Sequence, residues 1–144
     1  MMFAKKDRRI SRLLIVEDEP LVAFDTERYL ADEGFGIAAT VDTVTAAIAH
    51  VNSGAAIDLV LVDVMLPDGS GIAVAEAAHA RGIHALFVTG DCPSAARGVA
   101  AGCLAKPYAQ RDLLQAICAI EDVLRGRKPR RLPPSFNLFL ETAA

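Results

Sequence analysis

Acidic, hydroxyl and amino side chains stand at the ends of short apolar stretches of this chain. These are Glu17 and Asp18 after stretch 12–16, Asp63 in stretch 57–64, Thr89 at the end of stretch 84–89, and Lys106 after stretch 103–105. Each stretch is typical of a strand buried on both faces of a parallel sheet. Because the carboxyl ends of parallel strands meet at one edge, where ligands bind, we expect the five side chains to converge.

The types of these side chains indicate phosphoryl chemistry. Carboxylates held close together repel one another, so a site containing Glu17, Asp18 and Asp63 needs a cation. Mg²⁺ suits such oxygen ligands and commonly binds one or two carboxylates together with phosphate oxygens. Lys106 adds a positive charge for a phosphoryl oxygen, and Thr89 adds a hydroxyl donor. The combination predicts transfer of a phosphoryl group to Asp63, with Mg²⁺ and Lys106 neutralising the charge on that group.

Extended and helical patterns alternate along the chain and predict the elements that position these residues. Strands are predicted at 12–16, 35–39, 57–64, 84–89 and 103–105, and helices at 21–33, 43–51, 71–80, 93–101 and 112–125. Strands alternating with helices form βαβ units. The predicted fold is therefore α/β, a doubly wound five-stranded parallel sheet with five helices on its two faces.

Composition excludes several kinds of partner. The chain has 144 residues, 53% of them hydrophobic, and a formal net charge of −3, so neither nucleic acid nor an anionic membrane is an expected partner. No apolar run approaches the roughly 20 residues that span a bilayer. No signal-peptide pattern follows the basic N-terminus, so we expect a cytoplasmic location. Cys92, Cys103 and Cys118 lack metal-ligand and CxxC spacing, and we expect them to be reduced.

Composition also divides the chain into an N-terminal extension at 1–10, a domain at 11–125 and a tail at 126–144. The tail opens with a basic, Pro-rich linker that cannot continue a helix. It then carries an apolar patch at 136–140, for which docking on the domain and docking on a partner both stay open. Since no second domain follows, a DNA-binding transcription factor is not expected.

The order of these motifs resembles that of bacterial two-component response regulator receiver domains over residues 12–125. The matching residues are Glu17-Asp18, Asp63 with Pro67 and Gly71, Thr89-Gly90, and Lys106-Pro107. The resemblance implies a flavodoxin-like, CheY-like sheet with strand order 2-1-3-4-5. It also implies a phosphorelay, in which a histidine kinase or a histidine phosphotransfer protein donates the phosphoryl group.

The resemblance further assigns roles to individual residues. It makes Asp63 the phosphoacceptor and implies that Asp18 and Asp63 are side-chain ligands of Mg²⁺. The main-chain carbonyl of Met65 would be a third ligand, and Glu17 a second acid acting through water. Thr89 and Lys106 would bind the phosphoryl group and relay its presence. A cis peptide bond between Lys106 and Pro107 is typical of the family.

A finer resemblance concerns how the modification is read out. Residues 84–90 resemble the Pro-Phe-x-Phe-Ala-Thr-Gly signature of the FATGUY subclass of receivers, from which His84, Ala85 and Val88 depart. Most receivers carry a Tyr or Phe three residues before the lysine, where this chain has Cys103. We therefore expect readout to rely on the Thr-Gly pair and the short fourth helix.

Three classes of function follow from the sequence. The leading hypothesis is a stand-alone receiver that signals through protein–protein contact or serves as a phosphate sink or relay intermediate. A second is an interaction module that is no longer phosphorylated, which Cys103 raises. A third is a small-phosphoester hydrolase, against which Met65 replaces the usual second Asp. No enzyme activity beyond self-phosphorylation and slow autodephosphorylation is expected, and a homodimer stays open.

Overall fold

A six-stranded sheet, composed mostly of Leu, Val and Ile, forms the centre of the fold. The computed structural model describes residues 8–129 and 131–140. The expectations for residues 1–7, 130 and 141–144 lie outside the described residues. The strands are β1 Arg12–Val16, β2 Gly36–Val41, β3 Leu59–Val62, β4 Met65–Leu66, β5 Gly69–Ser70, β6 His84–Thr89, β7 Gly102–Ala105 and β8 Phe136–Leu138. The main sheet has the order β2-β1-β3-β6-β7-β8, and β4 pairs with β5 as a separate hairpin. Its first five strands are parallel, so the predicted parallel order 2-1-3-4-5 is confirmed.

Helices cover both faces of the sheet, as a doubly wound fold requires. They are α1 Pro20–Asp32, α2 Val44–Val51, α3 Gly71–Ala80 and α4 Gln110–Leu124. Alternate residues of a strand point to opposite faces, so β1 supplies Leu13 to one core and Leu14 to the other. The first core contains Leu30 of α1 and residues of α4, and the second contains Val74 of α3 and residues of α2.

The predictions of a fourth α-helix and of reduced Cys92 and Cys103 are wrong, whereas Cys118 forms no disulfide. A 3₁₀ helix at Ser94–Gly98 replaces the α-helix expected at 93–101, leaving four α-helices among the described residues. Cys92 and Cys103 form a disulfide, with their Cα atoms 6.2 Å apart. Both ends of the segment between them are therefore held to β7. A short 3₁₀ helix, which is frequent in connecting segments, forms within this tethered stretch in place of the α-helix.

The prediction of five strands is also wrong, because the tail adds β8 antiparallel to β7. Phe136 is 5% exposed, and a Cβ atom at Gly102 would lie 2.6 Å from its ring. The absence of a side chain at Gly102 thus makes room for Phe136. The Phe139 N–H also donates to the Ala101 carbonyl oxygen at 2.8 Å. Of the two alternatives left open for the apolar patch, the structure shows docking on the domain.

The N-terminal residues before β1 contact the end of α4. The Glu121 carboxylate, 4% exposed, accepts hydrogen bonds from the backbone N–H groups of Arg9 and Ile10. Ile10 is itself 1% exposed and belongs to the core. The domain boundaries at 10/11 and 125/126 stay predictions. Arg9 and Ile10, which precede the first boundary, contact the domain.

None of the helices within residues 8–129 and 131–140 has the length and apolar character needed to cross a membrane.

Gly71 allows α3 to begin against the backbone of Asp63. The Gly71 N–H donates to the Val64 carbonyl oxygen at 2.6 Å. A Cβ atom at position 71 would overlap the carbonyl oxygen of Asp63 and would lie 2.9 Å from Cγ2 of Val62. A side chain here therefore cannot be accommodated unless α3 or the end of β3 moves.

We predict that Gly71→Ala lowers the free energy of unfolding by about 1–3 kcal/mol, the usual cost of overpacking. Urea unfolding followed by circular dichroism measures this change. Gly98→Ala is the matched control, because nothing lies within 4 Å of a Cβ atom at that position. Equal stability of the two variants would contradict the close approach at Gly71.

We predict that Phe136→Ala lowers the free energy of unfolding by about 3 kcal/mol, since it removes a buried ring and leaves a cavity beside β7. The same urea titration measures it. Leu132→Ala, in the same tail, is the control because Leu132 is 45% exposed. The docking of β8 is contradicted if both variants unfold at the wild-type urea concentration.

Candidate functional site

Asp63 lies directly after β3 at the carboxyl edge of the sheet. Its N–H donates to the Val16 carbonyl oxygen at 3.1 Å, which extends the pairing of β1 with β3. Its Oδ1 accepts a hydrogen bond from the Met65 N–H at 3.1 Å. The side chain is 13% exposed. The carboxylate is therefore held by local backbone contacts while remaining open to solvent at the sheet edge.

Lys106 connects Asp63 to a second acid. Its Nζ lies 2.9 Å from Oδ2 of Asp63 and 3.3 Å from Oε1 of Glu17. The Lys106 N–H donates to the Thr89 carbonyl oxygen at 2.8 Å, so the pairing of β7 with β6 places the side chain. The expected cis peptide bond between Lys106 and Pro107 is present.

The charge of Lys106 is favoured by these contacts. Burial by itself lowers the pKa of the ammonium group, but the hydrogen bond to Asp63 and the negative charges of Glu17 and Asp63 outweigh it. The pKa of Lys106 is therefore raised above its usual value, and the side chain is a cation at neutral pH.

Glu17 and Asp18 follow β1 at the same edge. Glu17 is 7% exposed, and its Oε2 accepts a hydrogen bond from the Glu19 N–H at 3.1 Å. Burial raises the pKa of the Glu17 carboxyl group, although the Glu19 amide and Lys106 act in the opposite direction. A cation beside Glu17 would offset the cost of burying this carboxylate.

The three acids are close enough to share a metal ion. One carboxylate oxygen each from Glu17, Asp18 and Asp63 lies within 4.8 Å of the others, as found among the described residues. The Lys106 ammonium balances one negative charge of the three. Clustered carboxylate oxygens with excess negative charge match the ligands that Mg²⁺ prefers, so the residues present fit this ion.

Thr89 and Met65 complete the predicted set. Thr89 ends β6, is 4% exposed and accepts the Lys106 N–H through its backbone carbonyl oxygen. Met65 lies in β4 with its side chain 78% exposed, and its backbone contacts Asp63 as described above. The structure thus places five of the six predicted residues at or directly after the carboxyl ends of β1, β3, β6 and β7, and Met65 in β4, shortly after β3. Their individual roles stay predictions.

Asp68 is a residue whose contacts the sequence did not reveal. Its carboxylate accepts hydrogen bonds from the N–H groups of Val44 and Thr45, at 2.7 and 3.0 Å, and from the Thr45 hydroxyl at 2.9 Å. The two backbone hydrogen bonds are the main cause of a lowered pKa of Asp68. The loop after Asp63 thereby caps the N-terminus of α2, a contact between residues far apart in the sequence.

This chain is similar to known proteins in both sequence and structure. The response regulator receiver domain family matches residues 13–118. The TorCAD operon transcriptional regulatory protein TorR of Escherichia coli (strain K12) is 30% identical over 79 residues, which cover 54% of this chain and 34% of TorR. The chain therefore matches about a third of the length of that curated relative.

Solved structures extend the likeness to about three quarters of the chain. A receiver domain protein from Methanospirillum hungatei JF-1 has a TM-score of 0.69 and 29% identity, covering 75% of this chain and 90% of that chain. A receiver domain from Methylobacillus flagellatus has a TM-score of 0.68 and 28% identity, covering 78% and 99%. With the matched residues, the sheet order and the acidic edge in agreement, this chain belongs to the response regulator receiver domain family.

Proposed function

We propose that this receiver accepts a phosphoryl group on Asp63 from a histidine kinase or a histidine phosphotransfer protein and signals its modification through protein–protein contact. The observation that carries the proposal is the 2.9 Å contact between the Lys106 ammonium and the Asp63 carboxylate within a group of three acids. An ordinary surface ion pair needs no additional carboxylates beside it, whereas phosphoryl transfer uses an acid nucleophile, a cation and metal ligands together.

The reaction assigns a task to each side chain. An Asp63 oxygen attacks phosphorus, forming a P–O bond as the P–N bond of the donor phosphohistidine breaks and its imidazole leaves. Lys106 moves its hydrogen bonding from the Asp63 carboxylate to a phosphoryl oxygen and neutralises part of the added charge. Thr89 donates its hydroxyl hydrogen to another phosphoryl oxygen. Both side chains then report the modification to the strands β6 and β7 that carry them.

We propose Mg²⁺ as the cofactor. Asp18, Asp63 and the main-chain carbonyl oxygen of Met65 would be its direct ligands, and Glu17 would contact it through water. When bound, Mg²⁺ supplies positive charge that stabilises the transferring phosphoryl group. The buried Glu17 carboxylate, whose charged form is disfavoured without a cation, supports this assignment.

The proposed chemistry is phosphorylation and dephosphorylation of Asp63 itself. Self-phosphorylation from small phosphodonors and slow loss of the phosphoryl group are included, and turnover of external phosphoesters is not. The exposed thioether of Met65 stands where a phosphoester hydrolase of this type has a second acid. The intact acids and Lys106 favour phosphorylation over a module that only binds partners.

The finer assignments rest on the sequence resemblance. Residues 84–90 support membership of the FATGUY subclass. A cytoplasmic location accords with a partner kinase that presents its phosphohistidine inside the cell. Output as a relay intermediate is distinguished from output as an effector by whether phosphorylation promotes capture of a further partner.

An exposed apolar surface on α1 supports docking of the phosphodonor. Leu21 is 79% exposed and Phe24 is 59% exposed, and α1 starts directly after the acids of β1. Since the donor histidine must reach Asp63, the donor must cover surface beside the site. We infer that an apolar helical face of the donor contacts Leu21 and Phe24.

We predict that Asp63→Asn abolishes labelling by radioactive phosphate from a cognate kinase, because the amide is a poor nucleophile. Chelation of Mg²⁺ by EDTA is expected to suppress labelling of the unmodified chain. Asp68→Asn is the matched control, since it removes one charge from the same loop and leaves Asp63 in place. Persistent labelling of the Asp63→Asn variant would show that the acceptor assignment is wrong.

We predict that Phe24→Ala slows phosphoryl transfer from the kinase by roughly tenfold, the effect of losing an apolar interface anchor. Labelling by acetyl phosphate, which needs no docking surface, is expected to keep its rate. The comparison of the two donors measures docking separately from chemistry. Leu132→Ala, on an exposed apolar residue of the tail, is the control. An equal loss with both donors would contradict docking at Phe24.

A further inference from the structure

The disulfide between Cys92 and Cys103 joins the two segments that carry Thr89 and Lys106. Cys92 follows Thr89 by three residues, and Cys103 precedes Lys106 by three residues. Thr89 is paired with β7 through its carbonyl oxygen, which accepts the Lys106 N–H. The chain after Thr89 is thus fixed to β7 at two points, the hydrogen bond at one end and the disulfide at the other.

The surroundings of the two sulfur atoms differ. Cys103 is fully buried in β7, whereas Cys92 is partly exposed in the loop before the 3₁₀ helix. The side of the disulfide at Cys92 is therefore the one nearer to solvent, from which a reductant can approach. A disulfide with an accessible sulfur is of the labile kind, and disulfides in a reducing compartment are usually transient or redox-sensing.

The segment that the disulfide tethers packs against the core through Ala96, which is fully buried, while its flanking glycines have open space around them. Nothing lies within 4 Å of a Cβ atom at Gly90 or Gly98, which leaves open space at both ends of the segment. Arg97 of the 3₁₀ helix lies over the Phe139 ring, 5.0 Å from its centroid, and Phe139 packs against the core that contains Cys103. Movement of the 3₁₀ helix would therefore reach the β8 tail.

We propose that Cys92 and Cys103 form a reversible thiol–disulfide switch that sets how far residues 92–99 move when Asp63 is phosphorylated. This inference rests on the proposed function of Asp63. In the disulfide form, Gly90 and Asp91 connect Thr89 to Cys92, and both of these residues are held to β7. Binding of the phosphoryl group by Thr89 therefore cannot move the loop and the 3₁₀ helix toward Asp63. In the dithiol form the covalent link at Cys92 is absent, and the segment can shift with Thr89 as it binds the phosphoryl group, against the packing of Ala96.

A dithiol reduces the disulfide, and a peroxide forms it again. A dithiol reductant attacks the Cys92 sulfur, and Cys103 leaves as a thiolate and takes a proton. The second thiol of the reductant then displaces Cys92 as a thiol, and the reductant becomes a disulfide. For oxidation, the Cys92 thiolate attacks a peroxide to give a sulfenic acid, which condenses with the Cys103 thiol. Hydrogen peroxide is thereby reduced to two water molecules.

The first test compares hydrogen exchange in the two forms of the unmodified chain, without Mg²⁺ or a phosphate mimic. The protein is reduced with dithiothreitol or oxidised with hydrogen peroxide, and the loss of two hydrogen atoms on oxidation is verified by intact mass. We expect amides 94–99 to exchange about tenfold faster in the dithiol form, because local opening no longer strains a covalent link. Equal exchange in the two forms would overturn the switch.

The second test adds Mg²⁺ and beryllofluoride to each form and follows amide NMR shifts. We expect shifts at Asp63 and Thr89 in both forms, and shifts at residues 94–99 that are at least about twofold larger in the dithiol form. An equal response at residues 94–99 overturns the switch alone. Loss of the response at Asp63 in both forms contradicts the proposed function, and the redox-dependent coupling with it.

Two variants provide matched controls. Cys92→Ser keeps the loop length and is expected to behave as the dithiol form whether or not peroxide is present. Cys118→Ser replaces the cysteine of α4, which lies outside the disulfide, and is expected to keep the full redox response. A redox response that survives in Cys92→Ser would also overturn the proposal.

Discussion

Crowding of carboxylates at one sheet edge is the constraint on which this structure depends. Parallel strands β1 and β3 bring Glu17 and Asp63 together at their carboxyl ends, and the Lys106 ammonium after β7 contacts both acids. Burying such a group stabilises a fold poorly, because each charge loses hydration that the ion pair only partly restores. The arrangement is better explained by the proposed chemistry, in which a bound cation and a phosphoryl group would replace the missing solvent.

The strand that carries Lys106 is restrained from both sides. On one side β7 pairs with β6, and the Cys92–Cys103 disulfide strengthens that junction. On the other side β8 covers the β7 edge, with Phe136 packed over Gly102. The position of the ammonium group therefore depends on the tail as well as on the parallel sheet. Readout of the modified site is expected to involve both neighbours of β7.

The sequence predicted the parallel sheet and the converging site because both depend on local patterns. Short apolar runs define strands, and a polar residue at the end of a run must lie at the sheet edge wherever neighbouring strands are parallel. Asp63, Glu17 and Lys106 were found in this way. Gly71 could be recognised as a turn residue, although its close approach to the Asp63 carbonyl oxygen could not.

The features that the sequence did not predict depend on segments that meet only in the folded chain. The β8 strand needs the bare backbone of Gly102 to face Phe136, 34 residues later in the numbering. The disulfide needs the loop after β6 to cross to β7, and its formation leaves a 3₁₀ helix where a longer helix was expected. The cap that Asp68 provides for α2 likewise joins separate loops. Spacing and composition carry no signal for such pairs.

Direct location of the phosphoryl group tests the central claim, that Asp63 is the phosphoacceptor. The chain would be phosphorylated in the presence of Mg²⁺ and treated at once with borohydride, which reduces an acyl phosphate of aspartate to homoserine. Peptide mass spectrometry then identifies the modified residue. The account predicts homoserine at position 63. Homoserine at Asp18 or another acid instead, or phosphate retained on a residue that borohydride does not reduce, would contradict it.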